Sequence, residues 1–409
     1  MKSWVEISEK RLQANYRTLV EEAGGDTPVL AVVKANAYGH GAELCAPVLA
    51  RAGAEWLGIA DAGEGQAVRE ALAAAGIACD RQPRILVMCG FSDGDADIIV
   101  RYDLTPVVWD QQQMEDLAAA VRRRGGDRMP LAFHLEIDTG MARQGIAPGE
   151  RLHSLLHWLK RQPLLQLEGV MTHFAECEVA GSEQTKSQRK RYEEAIAAVT
   201  GAGLEPALMH VGNSSMLDNQ CRDNQAAEDN FIWLRTLAAD AGARPMVRAG
   251  IALYGYCLPI EQSSPASDAV QAKVRNRLEP LMTWKTRVIG LRDLQAGDAV
   301  GYNGIFVAQR SMRIALLPVG YSDGLRRELS GANAKPGGWV VLHGRRAPIV
   351  GRISMNLTTV DVTDIPHAAV GDEVTLLGDG VTADDHAHLA HTISYEILCG
   401  VRAPQRLVF

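Results

Sequence analysis

The chain has 409 residues, 47% of them apolar and 22% charged, with a formal net charge of −7. That length suits two domains, each with its own core, and the acidic balance leaves no basic footprint for nucleic acid. No apolar run is long enough to span a membrane. The seven cysteines, scattered and without CxxC spacing, argue against a disulfide framework or structural zinc and fit a reducing compartment.

The first seven residues alternate like a strand and lack the apolar core of a signal peptide, so the expected compartment is cytoplasmic. Ser8 is placed to cap a helix with Leu12, Tyr16 and Leu19 at helical spacing. Short apolar strands are then predicted at Val29–Lys34, Trp56–Asp61, Arg84–Gly90, Leu104–Asp110, Ala132–Asp138, Leu167–Phe174, Ala207–Asn213 and Met246–Ala252. Helical segments such as Gly63–Ala75 and Gln111–Arg124 lie between most of them. Strands alternating with helices in this number predict an α/β fold, an N-terminal (β/α)8 TIM-type barrel over residues 8–270.

The connection from Leu217 to Pro245 is long, with a polar run from Asp218 to Asn230 and a helical stretch at Phe231–Ala239. Cys257 to Asn276, rich in Pro and Ser, reads as a linker. Beyond it, short strands broken by turns are predicted at Leu281–Leu291, Asp298–Val307, Met312–Val319, Trp339–Leu342, Ile349–Val362 and Glu373–Leu377. They make a mainly β C-terminal domain over residues 271–409, joined by the strand of residues 1–7 and closed by a short helix, Ala383–His391.

Active-site residues of such a barrel come from the carboxyl ends of its strands. Lys34 ends the first strand. An ammonium there either snorkels to solvent or, with a lowered pKa, forms a Schiff base with an aldehyde cofactor. Glu136, Asp138 and Arg143 lie at or after the fifth strand, and His173 ends the sixth. Asn213 and Ser214 follow the seventh, and Arg248 and Gly250 lie in the eighth. Taken singly, His173 reads as a satisfied core histidine, Gly212-Asn213-Ser214 as a turn, and the arginines as partners of surface carboxylates. Together they describe a rim suited to an anionic cofactor, with hydroxyl, amide and backbone N–H groups for a phosphate.

These residues sit in segments that resemble the alanine racemase family over nearly the whole chain: AVVKANAYGHG, HLEIDTGMARQG, GVMTHFA, HVGNSSML, VRAGIALYG, VGYNGIF, PVGYSDG, APIVGRISMNLTTVDVTD and TISYEILCGVR. The resemblance implies a pyridoxal 5'-phosphate enzyme that interconverts L- and D-alanine and supplies D-alanine for peptidoglycan. It implies that Lys34 holds the cofactor and is one catalytic base, and that Tyr302 is the opposing base, supplied across a homodimer interface. By the same resemblance Tyr38, Ser214 and Tyr395 hold the phosphate, with backbone help from Gly250 and Ile251, and Asn213 stands beside them. Arg248 faces the pyridine nitrogen, His173 links it to Tyr302, and Arg143 contacts the cofactor and the substrate carboxylate. Met355 of the second subunit helps bind that carboxylate, and Tyr321 lines the entrance. Racemisation needs a base on each face of the α-carbon, which an amine and a phenol supply.

Two positions depart from the family pattern. Glu136 stands where a lysine that becomes carbamylated is common, which suggests that its carboxylate supplies the carbamate's charge to Arg143. Asn356 replaces an aspartate after Met355, removing a charge near the entrance. A racemase of broader range, acting on serine, lysine or arginine, is an alternative on substrate. A decarboxylase on a similar architecture is disfavoured by arginine, not an acid, at position 248. A non-catalytic pyridoxal-phosphate carrier would not need the second domain. No metal site is expected, since His386, His388 and His391 share no helix face and read as a solvated helix.

Overall fold

The structure is a computed structural model and describes residues 2–92, 94–125, 130–221, 229–262 and 270–408. It forms two units, Gln13–Ala35 with Cys45–Leu278, and Met1–Leu12 with Asn36–Leu44 and Glu279–Phe409.

The larger unit holds a closed barrel of eight parallel strands. They are β1 (Val29–Val32), β2 (Trp56–Ile59), β3 (Arg84–Val87), β4 (Thr105–Val108), β5 (Leu131–Glu136), β6 (Leu165–Met171), β7 (Leu208–Val211) and β8 (Arg244–Ala249). β8 closes the ring against β1. The continuous apolar runs are buried throughout β1, β2, β4 and β7, as a sheet covered on both faces requires. The helices between strands start where short polar residues can cap them. Asp61 accepts the Glu64 N–H ahead of Ala62–Ala74, and Asp110 forms a capping box with Gln113 ahead of Gln111–Arg123.

The long connection after β7 contains helices Ser214–Asp218 and Asn230–Asp240. Most of the polar run expected between them, residues 222–228, lies outside the described residues. The stretch expected as a linker is partly paired. Glu261–Gln262 runs parallel to Val179–Ala180, and Val270–Ala272 antiparallel to Asn219–Cys221; residues 263–269 lie outside the described residues. The reason is Asp218, a fully buried carboxylate that accepts the Val274 and Arg275 N–H groups and the Arg275 guanidinium, pinning the returning chain.

The other unit is mainly β. Its largest sheet orders strands Arg345–Pro348, Trp339–Leu342, Glu373–Leu377, Met282–Arg287, Ser3–Ser8 and Gln405–Val408 side by side. A second sheet joins Gly290–Leu294, Met312–Leu317 and Thr358–Asp361, over a core that includes Leu294, Val300, Met312, Ile314 and Val350. The strand expected at Asp298–Val307 is broken into a turn at Tyr302–Gly304, with Gly301, Asn303 and Gly304 all at positive φ. The helix Ala383–Ala390 is not simply solvated: His386 is buried, while His388 and His391 are exposed.

The turn after β1 is the most unusual backbone in the molecule. Ala35, Asn36, Ala37 and Tyr38 have φ of 53°, 54°, 55° and 53°, and Gly39 has 83°. This is a turn of left-handed helix built largely from residues with a Cβ, at about 1–2 kcal/mol each. Its neighbours hold it. Glu64 accepts the Ala35 N–H at 2.8 Å, and the Asn36 side chain accepts the Ala42 N–H at 2.9 Å. The buried His40 ring donates from Nδ1 to the Ala37 and Tyr38 carbonyls at 2.9 and 3.1 Å. At Gly39 a Cβ would lie 2.3 Å from the Leu398 carbonyl oxygen. The Lys-Ala-Asn-Ala-Tyr-Gly-His-Gly segment is thus a recipe for one strained turn.

Because Ala35 is exposed and left-handed, Ala35→Gly should raise stability by about 1 kcal/mol, opposite to the effect in a right-handed helix. Urea denaturation reads this directly, and a loss of stability would contradict the left-handed turn.

Candidate active site

The barrel rim is organised by Arg248, which is 4% exposed. Its Nη1 donates to His210 Nδ1 at 2.8 Å and to the His210 carbonyl at 3.2 Å. Its Nη2 donates to the Thr172 and Gly212 carbonyls at 2.7 and 2.8 Å and to His173 Nδ1 at 3.0 Å. All these acceptors are neutral. Burial pulls the guanidinium down to about 10, with the Glu136 carboxylate acting the other way.

A guanidinium only donates, so it fixes its neighbours. His173 and His210 must each present an unprotonated Nδ1 to Arg248 and carry their proton on Nε2. Burial, first, and the Arg248 charge, second, push both imidazoles well below the ordinary histidine value. Arg143 and Lys34 add to the effect on His173, which puts the Lys34 amine electrostatically in reach of that ring.

Glu136 ends β5 with 2% exposure. Burial raises its pKa, while the Gln144 amide and the Arg248 and Arg143 charges oppose the rise. Gln144 donates to the Glu136 carboxylate and to the Met88 carbonyl, the latter at 2.8 Å. Arg143 is exposed, and with Glu136, Gln144 and His173 it lines one recess.

A second cluster forms beside Arg248. Asn213 accepts the Ser215 N–H at 2.9 Å and starts the helix Ser214–Asp218. Ser214 Oγ accepts the Gly250 and Ala252 N–H groups at 2.9 and 3.2 Å, tying β7 to the turn Ile251–Tyr254 that follows β8. With its oxygen accepting twice, the Ser214 hydroxyl proton is available to an anion. Asn213, Ser214, Gly250 and Ile251 therefore form one polar cradle. An amine at a strand end, a hydroxyl–amide cradle and a buried donor-only cation fit an aldehyde cofactor with a phosphate and a ring nitrogen.

The remaining candidates lie in the β-rich unit. The Tyr38 and Tyr395 rings are 5.8 Å apart. Tyr321 and Met355-Asn356 share one surface, because Ser322 donates through N and Oγ to the Met355 carbonyl at 3.0 and 2.8 Å. Asn356 in turn donates to Ser322 Oγ at 2.7 Å. Tyr302 is 67% exposed on its turn.

Sequence reading passed over His210, the partner that orders Arg248, and Gln144, which holds Glu136. The signal for His210 was present: a histidine within the short apolar strand Leu208–Val211 is a buried polar group that needs a partner.

The chain matches two family descriptions, "Alanine racemase, N-terminal domain" over residues 7–258 and "Alanine racemase, C-terminal domain" over residues 281–408. It is 37% identical over 404 residues to an alanine racemase of Syntrophobacter fumaroxidans, covering 98% of this chain and 95% of that protein. It is 36% identical over 403 residues to one of Symbiobacterium thermophilum, covering 98% and 94%. Among solved structures it is similar to the alanine racemase of Streptomyces coelicolor A3(2), with a TM-score of 0.82, 30% identity and coverage of 100% and 98%.

Five histidines, the buried His40, His134, His210 and His386 and the half-buried His173, have lowered pKa, each chiefly by desolvation. They stay neutral in the fold, whereas an unfolded histidine binds a proton below about pH 6.5. Stability should therefore be complete above that pH and fall below it, by up to about 1.4 kcal/mol per pH unit for each histidine. Urea midpoints at pH 7.5 and 5.5 test this; equal midpoints would contradict the neutral assignments.

Proposed function

This chain belongs to the alanine racemase family of pyridoxal-phosphate-dependent isomerases, and we propose that it moves the α-proton of alanine between two bases, Lys34 and Tyr302. The observation that carries the proposal is Lys34 just after β1, an amine whose charge acts on His173, which is itself bonded to Arg248. The bound cofactor supplies the electron sink that acidifies the α-proton. Lys34 Nζ takes or gives that proton on one face, and Tyr302 Oη does so on the other. Ser214 and the Gly250–Ile251 backbone would hold the phosphate, the role the resemblance also gives to Tyr38 and Tyr395. Arg248 would face the pyridine nitrogen; because a guanidinium only donates and does not readily give up a proton, it would leave that nitrogen unprotonated and disfavour side reactions such as transamination.

Tyr302 acts from a second copy of the chain. The exposure of Tyr302, Tyr321, Met355 and Leu357, at 67%, 44%, 55% and 40%, supports a self-association surface in the β-rich unit. Met355 then meets the substrate carboxylate along with Arg143, while Tyr321 and Asn356 line the approach. Glu136, steadied by Gln144, places a carboxyl group beside Arg143. The product feeds peptidoglycan synthesis in the cytoplasm. Among the described residues no helix is long and apolar enough to cross a membrane.

Chiral chromatography after incubation with single L-amino acids tests the activity: D-alanine should dominate, and larger yields of D-serine, D-lysine or D-arginine would favour a broader racemase. Mixing tests the shared site. Lys34→Ala and Tyr302→Phe proteins should each be inactive, yet subunit exchange should restore about a quarter of the wild-type rate, since about half the dimers are hybrids with one intact site. No recovery would contradict a site built from two subunits. Glu136→Gln should lower kcat/KM for alanine about tenfold, the scale of a supporting charge; unchanged kinetics would remove Glu136 from the site.

A further inference from the structure

The hydrogen bonds ordered by Arg248 do not stop at His210. His210 Nε2, which must carry the ring proton, lies 2.7 Å from His134 Nδ1. His134 therefore accepts at Nδ1 and carries its own proton on Nε2. That Nε2 is 3.5 Å from Glu168 Oε2. The contact is long, yet neither buried atom has a hydrogen-bond partner elsewhere among the described residues, so each is the other's available complement. Glu168 is held at its other side by Arg84, whose guanidinium also donates to Thr105 at 2.9 Å and lies 4.4 Å above the Trp56 ring.

The backbone is shaped for this chain of contacts. Phe133 pairs with Leu167 and His134 with Gly169, so Glu168 is an extra, unpaired residue: a β-bulge at the one place where β6 must deliver a carboxylate. At Gly169 a Cβ would sit 2.8 Å from the His134 ring, so glycine makes room for the imidazole. Both imidazoles are fully buried where barrels ordinarily place branched apolar side chains. Glu168 and Arg84 also line a cavity of about 580 Å³ that includes Thr105 and Arg124. This arrangement runs through the barrel from the strands' amino-terminal ends, where Arg84 begins β3, to the catalytic rim.

We propose that Glu168 is a positioning residue for the racemase site: it terminates a one-way hydrogen-bond chain, Arg248 to His210 to His134 to Glu168, that locks both imidazoles in the Nε2–H tautomer and thereby holds the Arg248 guanidinium in place for the cofactor ring. Arg248 is a donor at one end and the carboxylate an acceptor at the other, so only one order of protons satisfies every link. The proposal rests on the assignment of Arg248 to the cofactor, and its first test does not.

Two-bond 15N–1H spectra of the histidine-labelled holoenzyme, assigned with His134→Gln and His210→Gln, should show both rings neutral with the proton on Nε2. An Nδ1–H tautomer or an imidazolium at either ring overturns the proposal without any reference to activity. In Glu168→Leu, which removes the acceptor, the His134 Nε2 resonance should shift as its proton loses its partner, while the order of protons set from Arg248 is kept. Its kcat for alanine should fall about tenfold, with KM within about twofold, the scale of outer-shell positioning. Glu168→Gln keeps an acceptor oxygen and should preserve the tautomers and recover most of kcat. Unchanged His134 shifts or unchanged kcat in Glu168→Leu would overturn the role assigned to Glu168, and a Glu168→Gln protein as impaired as Glu168→Leu would overturn the tautomer lock.

Discussion

A guanidinium that is 4% exposed and bonded to neutral acceptors is the constraint on which the barrel depends. A buried charge is costly unless its hydrogen-bonding capacity is used. Here three backbone carbonyls and two imidazoles use it, drawn from β7, the residue after it and the segment after β6. Because Arg248 can only donate, its placement dictates where each neighbouring histidine keeps its proton. A carboxylate at this position would accept instead, reverse every proton in the chain and leave a protonated pyridine nitrogen as its natural partner. One residue type thus sets the order of protons inside the barrel.

The second constraint is local. β1 delivers Lys34 into four consecutive left-handed residues with side chains, a conformation that is otherwise used one residue at a time. The cost is offset by contacts that reach across the turn: the Glu64 carboxylate, the Asn36 amide and the buried His40 ring. Strain concentrated directly after Lys34 points to a backbone chosen for the direction it gives that amine rather than for its own stability.

Much of the fold was legible because its physics is local. Short apolar, β-branched runs such as Val29–Val32 read as strands buried on both faces, and the residues that follow them fall at the rim. The eight-stranded barrel and the mainly β second part agree with that reading. What stayed hidden depends on partners distant in sequence. Tyr302 reads as part of a strand until Gly301 and Gly304 prove to close a turn around it. The left-handed turn needs Glu64 and Leu398 to exist, and a propensity argument over Lys-Ala-Asn-Ala-Tyr sees neither. Glu168 reads as an ordinary strand residue, because a bulge is defined by the facing strand and not by the bulged one.

The claim at the centre is that Arg248 remains a donor and leaves the cofactor ring nitrogen without a proton. The most direct measurement is the 15N shift of that nitrogen in enzyme loaded with 15N-labelled pyridoxal phosphate. The expected resonance is that of an unprotonated, hydrogen-bonded pyridine, displaced further in Arg248→Lys. A pyridinium resonance in the wild-type enzyme would contradict it.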